Sequence, residues 1–170
     1  MAKIFEIKAN LVGVQHEISR TFQVVGTTDL QVLHEVFQAL FAWENFHLHF
    51  FQDSTGKDIK KEDQVLLEQV ISNHNNLKYV YDYGDSWTLD LKLIRIFEDS
   101  HIEKYPICIS GQRHAPPEDS GGITGYEMAL ELMREKKEKY TLITEWYGDT
   151  YDPEYFNIDE VNKALNQLRG

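Results

Sequence analysis

Apolar and polar residues alternate along the first part of the chain with a period of two. Residues 4–11 carry apolar side chains at every second position from Phe5, a pattern that predicts a strand with one buried face. Gly13 interrupts the alternation, which then resumes over residues 18–24. Two such segments joined by a glycine-containing turn are typical of a β-hairpin. The chain is therefore predicted to begin with two antiparallel strands.

A helical period replaces this alternation over residues 30–41, where apolar residues recur every three or four positions. A third strand is predicted over residues 47–51. Side chains able to cap free amide groups predict four helix starts: Thr28 with Gln31, Asp63, Thr124 with Glu127, and Asn157 with Glu160. A further short helix is predicted around Leu142, Ile143 and Trp146.

The order of these elements predicts an α+β fold in a single domain of residues 1–170. Hairpin, helix, strand, short helix and strand follow one another as in ubiquitin-like (β-grasp-like) folds. A mixed sheet with one helix lying across it is therefore expected for residues 1–97. Residues 98–124 are rich in proline and glycine and predict a long loop, either ordered or flexible. Residues 125–170 are predicted to be mainly helical and to pack on the sheet.

The stretch YVYDYGDSWTLDLKL, residues 79–93, predicts a second hairpin whose register depends on the length of its turn. A two-residue turn would scatter apolar side chains over both faces, whereas a three-residue turn over 84–86 collects them on one face. The three-residue turn pairs Tyr83 with Trp87, Tyr81 with Leu89, and Tyr79 with Leu91. Gly84 then supplies a left-handed backbone, Asp85 lies at the apex, and Asp82 points outward into solvent.

Charge narrows the classes of partner that the chain can bind. Its 170 residues include 28 acidic and 17 basic ones, a formal net charge of −11. This acidity disfavours nucleic acid and anionic membranes as partners. The basic run at residues 134–139 is diluted by glutamates and is typical of a solvated helix face. The absence of an apolar run of membrane-spanning length and the single cysteine, Cys108, lead us to expect a cytoplasmic protein.

Four segments of the chain carry motifs of one protein family. They are YDYGDSW (81–87), LHEVFQALFAWENFHLHFF (33–51), PPEDSGGITGY (116–126) and EWYGDTYDPEYFNIDEVNKAL (145–165). The first is similar to a Tyr-Asp-aromatic-Gly-Asp-x-Trp motif, and the four follow one another in the family's order. Over nearly its whole length the chain thus resembles the Ri-plasmid Orf-three-like (pRiA-type) family. The resemblance implies the family's architecture but no reaction, because its members are passenger proteins of plasmids and mobile elements without an established activity.

The chain departs from this family at positions that bear on metal binding. Family members often carry cysteines where this chain has Ala115 and Ser120, and a histidine where it has Leu89. An early Trp-Arg-Arg-like stretch of the family is replaced here by HEISR. If the relatives have a thiolate-rich metal site, this chain cannot form it.

Two histidines and four carboxylates are nevertheless candidate metal ligands. His47 and His49 lie two positions apart on a predicted strand, so both imidazoles would project from one face, about 7 Å apart. That spacing suits two ligands of one divalent metal ion with a carboxylate as the third. The candidate carboxylates are Asp82, Asp85, Glu118 and Asp119. The alternatives are a polar strand face without a ligand and acids that only cap the next helix. His34 is expected at the surface or at the boundary of the core.

Two functions remain open from the sequence. The first is a non-enzymatic protein-interaction or accessory module with a basic protein partner, because Cys108 lies among apolar neighbours and no activated nucleophile is recognisable. Its candidate binding surface consists of Asp82, Gly84, Asp85, Trp87, Glu118, Asp119, Gly121 and Gly122. The alternative is a metal-binding protein or a metal-dependent hydrolase that uses His47 and His49 with nearby carboxylates.

Overall fold

The computed structural model describes residues 1–135 and 145–169. Seven strands are found in this part of the chain: β1 (Ala2–Leu11), β2 (Ser19–Val25), β3 (His49–Gln52), β4 (Asp58–Ile59), β5 (Leu77–Tyr81), β6 (Trp87–Asp99) and β7 (Ile107–Gln112). The α-helices are α1 (Leu30–Phe41), α2 (Leu67–Val70), α3 (Gly122–Glu135) and α4 (Ile158–Gln167). Of the predicted helix around Leu142, Ile143 and Trp146, the first two residues lie outside the described residues, as does most of the basic run, whereas Trp146 lies in a helical stretch over residues 145–147.

The strands form one sheet in the order β4-β3-β5-β6-β1-β2-β7. The long strands β1 and β6 pair at its centre, and every ladder between the described strands is antiparallel. The protein is therefore α+β, as predicted, but the expectation of a mixed sheet is wrong. Hairpins join β1 to β2, β3 to β4 and β5 to β6, and strands joined by a short turn pair antiparallel because they need no helical crossover. The predicted ubiquitin-like order is not confirmed.

The core lies between one face of the sheet and α1. Alternate residues of β1 from Phe5 to Leu11 are buried, as the period of two predicts. The ring of Phe37, on the buried stripe of α1, contacts Phe22 of β2 at 5.8 Å and Tyr79 of β5 at 4.8 Å between ring centroids. These contacts place α1 across the middle of the sheet, so both ends of α1 face loops that join the strands.

The helix starts agree only partly with the predicted caps. Asn157 is the N-cap of α4 and accepts hydrogen bonds from two backbone amides, which confirms that prediction. The cap of α1 is Asp29 rather than Thr28, because its carboxylate accepts from the Val32 amide. Asp63 lies in a 3-10 helix that precedes α2, and α3 begins before Thr124.

The second hairpin has a longer turn than its sequence predicts. Tyr81 pairs with Trp87 and Tyr79 with Leu89, so residues 82–86 form the connection, hereafter the acidic turn. The register is shifted by two residues from the predicted one, which keeps every predicted inward side chain inward except that of Tyr83. The left-handed residues are Asp82 and Ser86, with φ of 63° and 55°, and not Gly84.

The proline- and glycine-rich segment 98–124 contains β7, so it is not a loop throughout. β7 pairs with β2 at one edge of the sheet and packs against α4. The expectation that residues 125–170 are mainly helical extends over residues outside the described ranges, within which α3 and α4 lie. No helix of the described residues is long and apolar enough to cross a lipid bilayer.

Candidate functional site

The acidic turn buries the carboxylate that was predicted to be exposed. The Asp82 amide donates to the Leu48 carbonyl at 2.9 Å, and its side-chain Oδ1 accepts from the amides of Gly84 at 2.9 Å and Asp85 at 3.3 Å. An aspartate that accepts from amides two and three residues later stabilises a left-handed turn. Only 6% of Asp82 is exposed, so the expectation that it points into solvent is wrong.

A second segment, residues 116–122 or the Pro-Gly loop, is fixed against this turn and against the end of α1. The Trp43 indole donates to the Pro116 carbonyl at 3.2 Å, and the Glu44 amide donates to Glu118 Oε1 at 2.8 Å. At the other end, the Gly121 amide donates to Asp85 Oδ2 at 3.1 Å. The loop is therefore ordered, and its two acids are held over the acidic turn.

These contacts bring one histidine and three carboxylates together. His47 Nε2 lies 3.0 Å from Asp119 Oδ1, 3.5 Å from Asp82 Oδ2 and 3.7 Å from Glu118 Oε2. His47, Asp82 and Asp119 each offer a ligand atom within 4.8 Å of the other two. His47 Nε2 and Glu118 Oε2 are buried atoms that make no hydrogen bond in the described structure. We call these four residues the His47 cluster.

Tyr81 orients the carboxylate of Glu118. Its hydroxyl donates to Glu118 Oε1 at 2.9 Å and accepts from the Phe46 amide at 3.0 Å. Burial and the neighbouring Glu118 carboxylate raise the pKa of Tyr81, so the hydroxyl stays protonated and can donate. Glu118 Oε1 is thereby occupied and Oε2 is left facing His47. This role of Tyr81 was not predicted from the sequence, although its position beside Asp82 in the YDYGDSW motif indicates a residue close to the acids.

His49 does not share a site with His47. β3 begins only at His49, so the two side chains do not alternate along one strand. The His49 imidazole pairs with Glu62 Oε2 at 2.7 Å and stacks on the ring of His34. The prediction of a metal site shared by the two histidines is therefore wrong. His34, expected at the surface or at the boundary of the core, is buried. Asp85 does not belong to the cluster either, because its Oδ2 accepts from the Gly121 amide of the Pro-Gly loop.

The other residues of the predicted binding surface divide into two groups. Trp87 is fully buried and contacts Tyr126 in the core, so its place in a binding surface is a wrong prediction. Gly121 and Gly122 have a structural role in the Pro-Gly loop. Their φ angles of 82° and 68° lie in the left-handed region, where a residue with a side chain is strained. Three exposed apolar side chains absent from the prediction are neighbours of His47 and Asp82 along the chain: Phe46, Leu48 and Tyr83.

The chain is similar to proteins whose names state no activity. A family model described as plasmid pRiA4b ORF-3-like protein matches residues 3–160. The chain is 31% identical over 182 residues to the uncharacterized protein y4hQ of Sinorhizobium fredii (strain NBRC 101917 / NGR234), covering 99% of this chain and 93% of that protein. A crystal structure of a protein of unknown function, MM3350 from Methanosarcina mazei Go1, has a TM-score of 0.87 and 34% identity, covering 94% of this chain and 98% of the other.

Proposed function

Since the chain belongs to the plasmid pRiA4b ORF-3-like family, whose relatives named above carry no assigned activity, we propose its function from the site itself. The proposal is that His47, Asp82 and Asp119 bind one divalent metal ion and that Glu118 completes or serves this centre. This is the metal-binding function that the sequence left open, without His49 and Asp85 as ligands.

The proposal rests on the surroundings of His47 Nε2. Three carboxylate oxygens lie 3.0 to 3.7 Å from His47 Nε2, yet this buried atom makes no hydrogen bond in the described structure. Carboxylates crowded together repel one another unless a cation lies between them. A shared metal ion would satisfy both the ring nitrogen and the carboxylates.

The distances from His47 Nε2 to the carboxylates also suit a metal centre. Neighbouring ligands bound at about 2.0–2.2 Å lie roughly 2.8–3.6 Å from one another around a tetrahedral or octahedral ion. The three distances from His47 Nε2 fall on or within about 0.1 Å of this interval. One imidazole nitrogen with two or three carboxylate oxygens suits Mn²⁺, Fe²⁺ or Zn²⁺ better than a soft ion such as Cu⁺, which prefers thiolate ligands.

The chemistry assigned to such a centre is metal-assisted hydrolysis. Three protein ligands leave a coordination position for water, whose pKa falls when a divalent ion binds it. Glu118 Oε2, held in place through Tyr81, would accept the proton or act as a fourth ligand. Phe46, Leu48 and Tyr83 are exposed and adjoin His47 and Asp82 along the chain, so they are the side chains proposed to contact a substrate.

Metal binding is tested first with the metals alone. Untagged protein is purified without chelators, its zinc, manganese and iron are measured by plasma mass spectrometry, and the stripped protein is titrated by calorimetry. We expect one ion per chain, and at a hundredfold excess over Kd a gain of about 2.7 kcal/mol in unfolding free energy. That gain raises Tm by roughly 5–10 °C in a chain of this size.

Matched variants separate the cluster from general acidity. His47→Gln and Asp119→Asn are expected to remove the calorimetric signal of metal binding. The control variants His74→Gln and Asp149→Asn, at exposed positions, are expected to bind metal as the native chain does. Less than about a tenth of an equivalent of each metal, together with no thermal shift, would overturn the proposal. Equal binding by the cluster variants and by the controls would also overturn it.

A protein partner on the same surface is the second candidate function. Phe46, Leu48 and Tyr83 are 70%, 69% and 57% exposed beside the acids of the cluster, and exposed apolar side chains rimmed by charge are typical of docking surfaces. A basic partner fits the net charge, and the accessory role suggested by the family's plasmid name would rest on such a contact. The test compares capture from a host extract by the native chain and by Leu48→Ser/Tyr83→Ser, and equal capture would remove this candidate.

A further inference from the structure

A buried arginine stands apart from the His47 cluster. Arg20 lies on β2 at a position that shares the inward face with Ile18 and Phe22, and only 4% of it is exposed. Arginine is almost never buried to this degree without a partner of opposite charge. The function of this side chain is therefore inferred from the groups that surround its guanidinium.

The guanidinium has neutral partners and no carboxylate. Arg20 Nε donates to the Leu40 carbonyl at 2.8 Å, and Nη1 donates to the carbonyls of Ser19 at 2.7 Å and Gln112 at 3.0 Å. No carboxylate of the described residues lies within ion-pair distance, and Nη2 donates no hydrogen bond to them. A buried positive charge and two N–H donors are thus left without an anionic partner.

Two aromatic rings pack against the guanidinium of Arg20. The carbon Cζ of Arg20 lies 5.1 Å from the ring centroid of Phe41 and 4.6 Å from that of Phe156. The second ring fits because Gly111 faces it, and a Cβ there would lie 2.6 Å from the Phe156 ring. The side chain is therefore fixed in orientation before any ligand binds, which lowers the entropy cost of binding.

A cavity of about 390 Å³ opens between α1 and α4 beside this arginine. Its volume falls within the range of about 300–1,000 Å³ common to small-molecule sites. Apolar side chains form most of its wall, and they include Phe41, Trp43, Phe156, Val161, Ala164 and Leu168. An apolar wall with one fixed cation favours a ligand that has an apolar body and a single negative charge.

The charges at the rim exclude more highly charged anions. Glu35 and Glu160 line the cavity as exposed side chains, and the Tyr155 hydroxyl donates to Glu160 at 2.9 Å. Their carboxylates repel phosphate dianions more strongly than a monoanion. Burial lowers the pKa of Arg20 to about 10, so the arginine remains positively charged at neutral pH.

We infer that this cavity, hereafter the arginine cavity, binds a small organic carboxylate whose apolar or aromatic body lies against Phe156 and Trp43 while its carboxylate accepts from Arg20 Nη2. Arginine suits this role because its planar donors match carboxylate oxygens. The inference is independent of metal binding, since the arginine cavity shares no residue with the His47 cluster.

Calorimetry and thermal shift with defined probes test the inference. Phenylacetate and hexanoate are compared with the neutral phenylacetamide and hexanamide, which have the same bodies without the charge. We expect each carboxylate to bind with one site per chain and at least about tenfold more tightly than its amide, because only the carboxylate pairs with the buried charge. Equal affinities of the carboxylates and amides, or no binding of either carboxylate, would overturn the inference.

Variants locate the binding. Ala164→Phe fills the arginine cavity without touching the charge and is expected to abolish carboxylate binding, whereas Lys163→Phe, an exposed neighbour on α4, retains it. Arg20→Lys keeps the charge with fewer donors and is expected to bind about tenfold more weakly. Binding that persists in Ala164→Phe would place the ligand elsewhere and overturn the inference, even if the Arg20 variant fails to fold.

Discussion

The imidazole rings of His34 and His49 are stacked, with 3.6 Å between the ring centroids and 7° between the planes. His34 Nδ1 lies 2.8 Å from the Tyr79 hydroxyl, and Nε2 lies 2.9 Å from Asn45 Oδ1. An amide oxygen only accepts, so Nε2 carries the hydrogen and Nδ1 accepts from the tyrosine. This network holds His34 in its neutral form.

The stack predicts loss of stability in mild acid. Burial, followed by the neighbouring His49, lowers the pKa of His34 below its ordinary value. In the unfolded chain this imidazole titrates near about 6.5, so below that pH the unfolded chain binds more protons than the folded one. The free energy of unfolding is therefore expected to be fully retained above about pH 6.5 and to fall as the pH decreases below it.

Urea unfolding at several pH values checks this expectation. His34→Gln loses hydrogen bonds and is expected to be less stable at neutral pH, but its stability falls less between about pH 7 and about pH 5. His74→Gln, at an exposed position, is expected to keep the native slope. Identical slopes in the native chain and in His34→Gln would show that His34 is not the group responsible.

Cys108 is expected to be chemically inert in the folded protein. It is 2% exposed, and burial raises the pKa of its thiol to about 11, so almost no thiolate is present at neutral pH. Because the thiolate is the reactive form, labelling by a disulfide reagent should be at least about a hundredfold slower than in the urea-unfolded chain. Labelling of the native chain at the rate of an exposed cysteine would contradict the burial of this residue.

The period of two in the sequence predicted the buried faces of the strands correctly, and it did so even where the register was wrong. The predicted pair of Tyr81 with Leu89 is replaced by Tyr81 with Trp87, a shift of two that preserves the inward face. The length of the turn was not predictable, because Asp82 rather than a glycine supplies the left-handed residue. The Asp82 carboxylate is buried there because its Oδ1 accepts from the amides of Gly84 and Asp85 within the turn.

The candidate site was predictable in its residue types but not in its membership. The acids of the two motifs meet because Gly121 and Asp85 are joined across the loops, a contact that no local pattern encodes. The His-x-His spacing indicated a shared site only if both residues belonged to one strand, and β3 begins too late for that. Arg20 lies at an inward position of β2, and this charge in an otherwise apolar pattern would have predicted a buried polar site from the sequence.

Gly122 is expected to be essential for the position of the Pro-Gly loop. Its φ of 68° is strained for any other residue, and a Cβ there would lie 3.0 Å from the Asp85 carbonyl oxygen. Gly122→Ala should therefore cost more than the roughly 1–2 kcal/mol of backbone strain alone, and metal binding should weaken with it. Chemical unfolding and calorimetry measure the two effects.

Gly56→Ala is the matched control for this change. Gly56 has a similar φ of 84°, but nothing lies within 4 Å of the added Cβ. This variant should lose only the strain energy and should bind metal as the native chain does. Equal losses of stability in the two variants would show that contact with Asp85 adds nothing to the role of Gly122.

Two substitutions at Asp82 should separate its part in the turn from its part in the His47 cluster. Asparagine keeps the Oδ1 acceptor for the amides of Gly84 and Asp85 and tolerates the left-handed backbone. Asp82→Asn should therefore change the free energy of unfolding by less than about 0.5 kcal/mol in the absence of metal, whereas Asp82→Ala should lose about 1–2 kcal/mol.

Metal affinity, unlike stability, should fall in both variants, because both substitutions remove the charged Oδ2 that faces His47. Each variant is expected to bind at least about tenfold more weakly in calorimetry, regardless of its stability. A native affinity in Asp82→Asn would assign Asp82 to the turn alone. The remaining ligands would then be His47 and Asp119 with Glu118, whose Oε2 lies 3.7 Å from the same ring nitrogen.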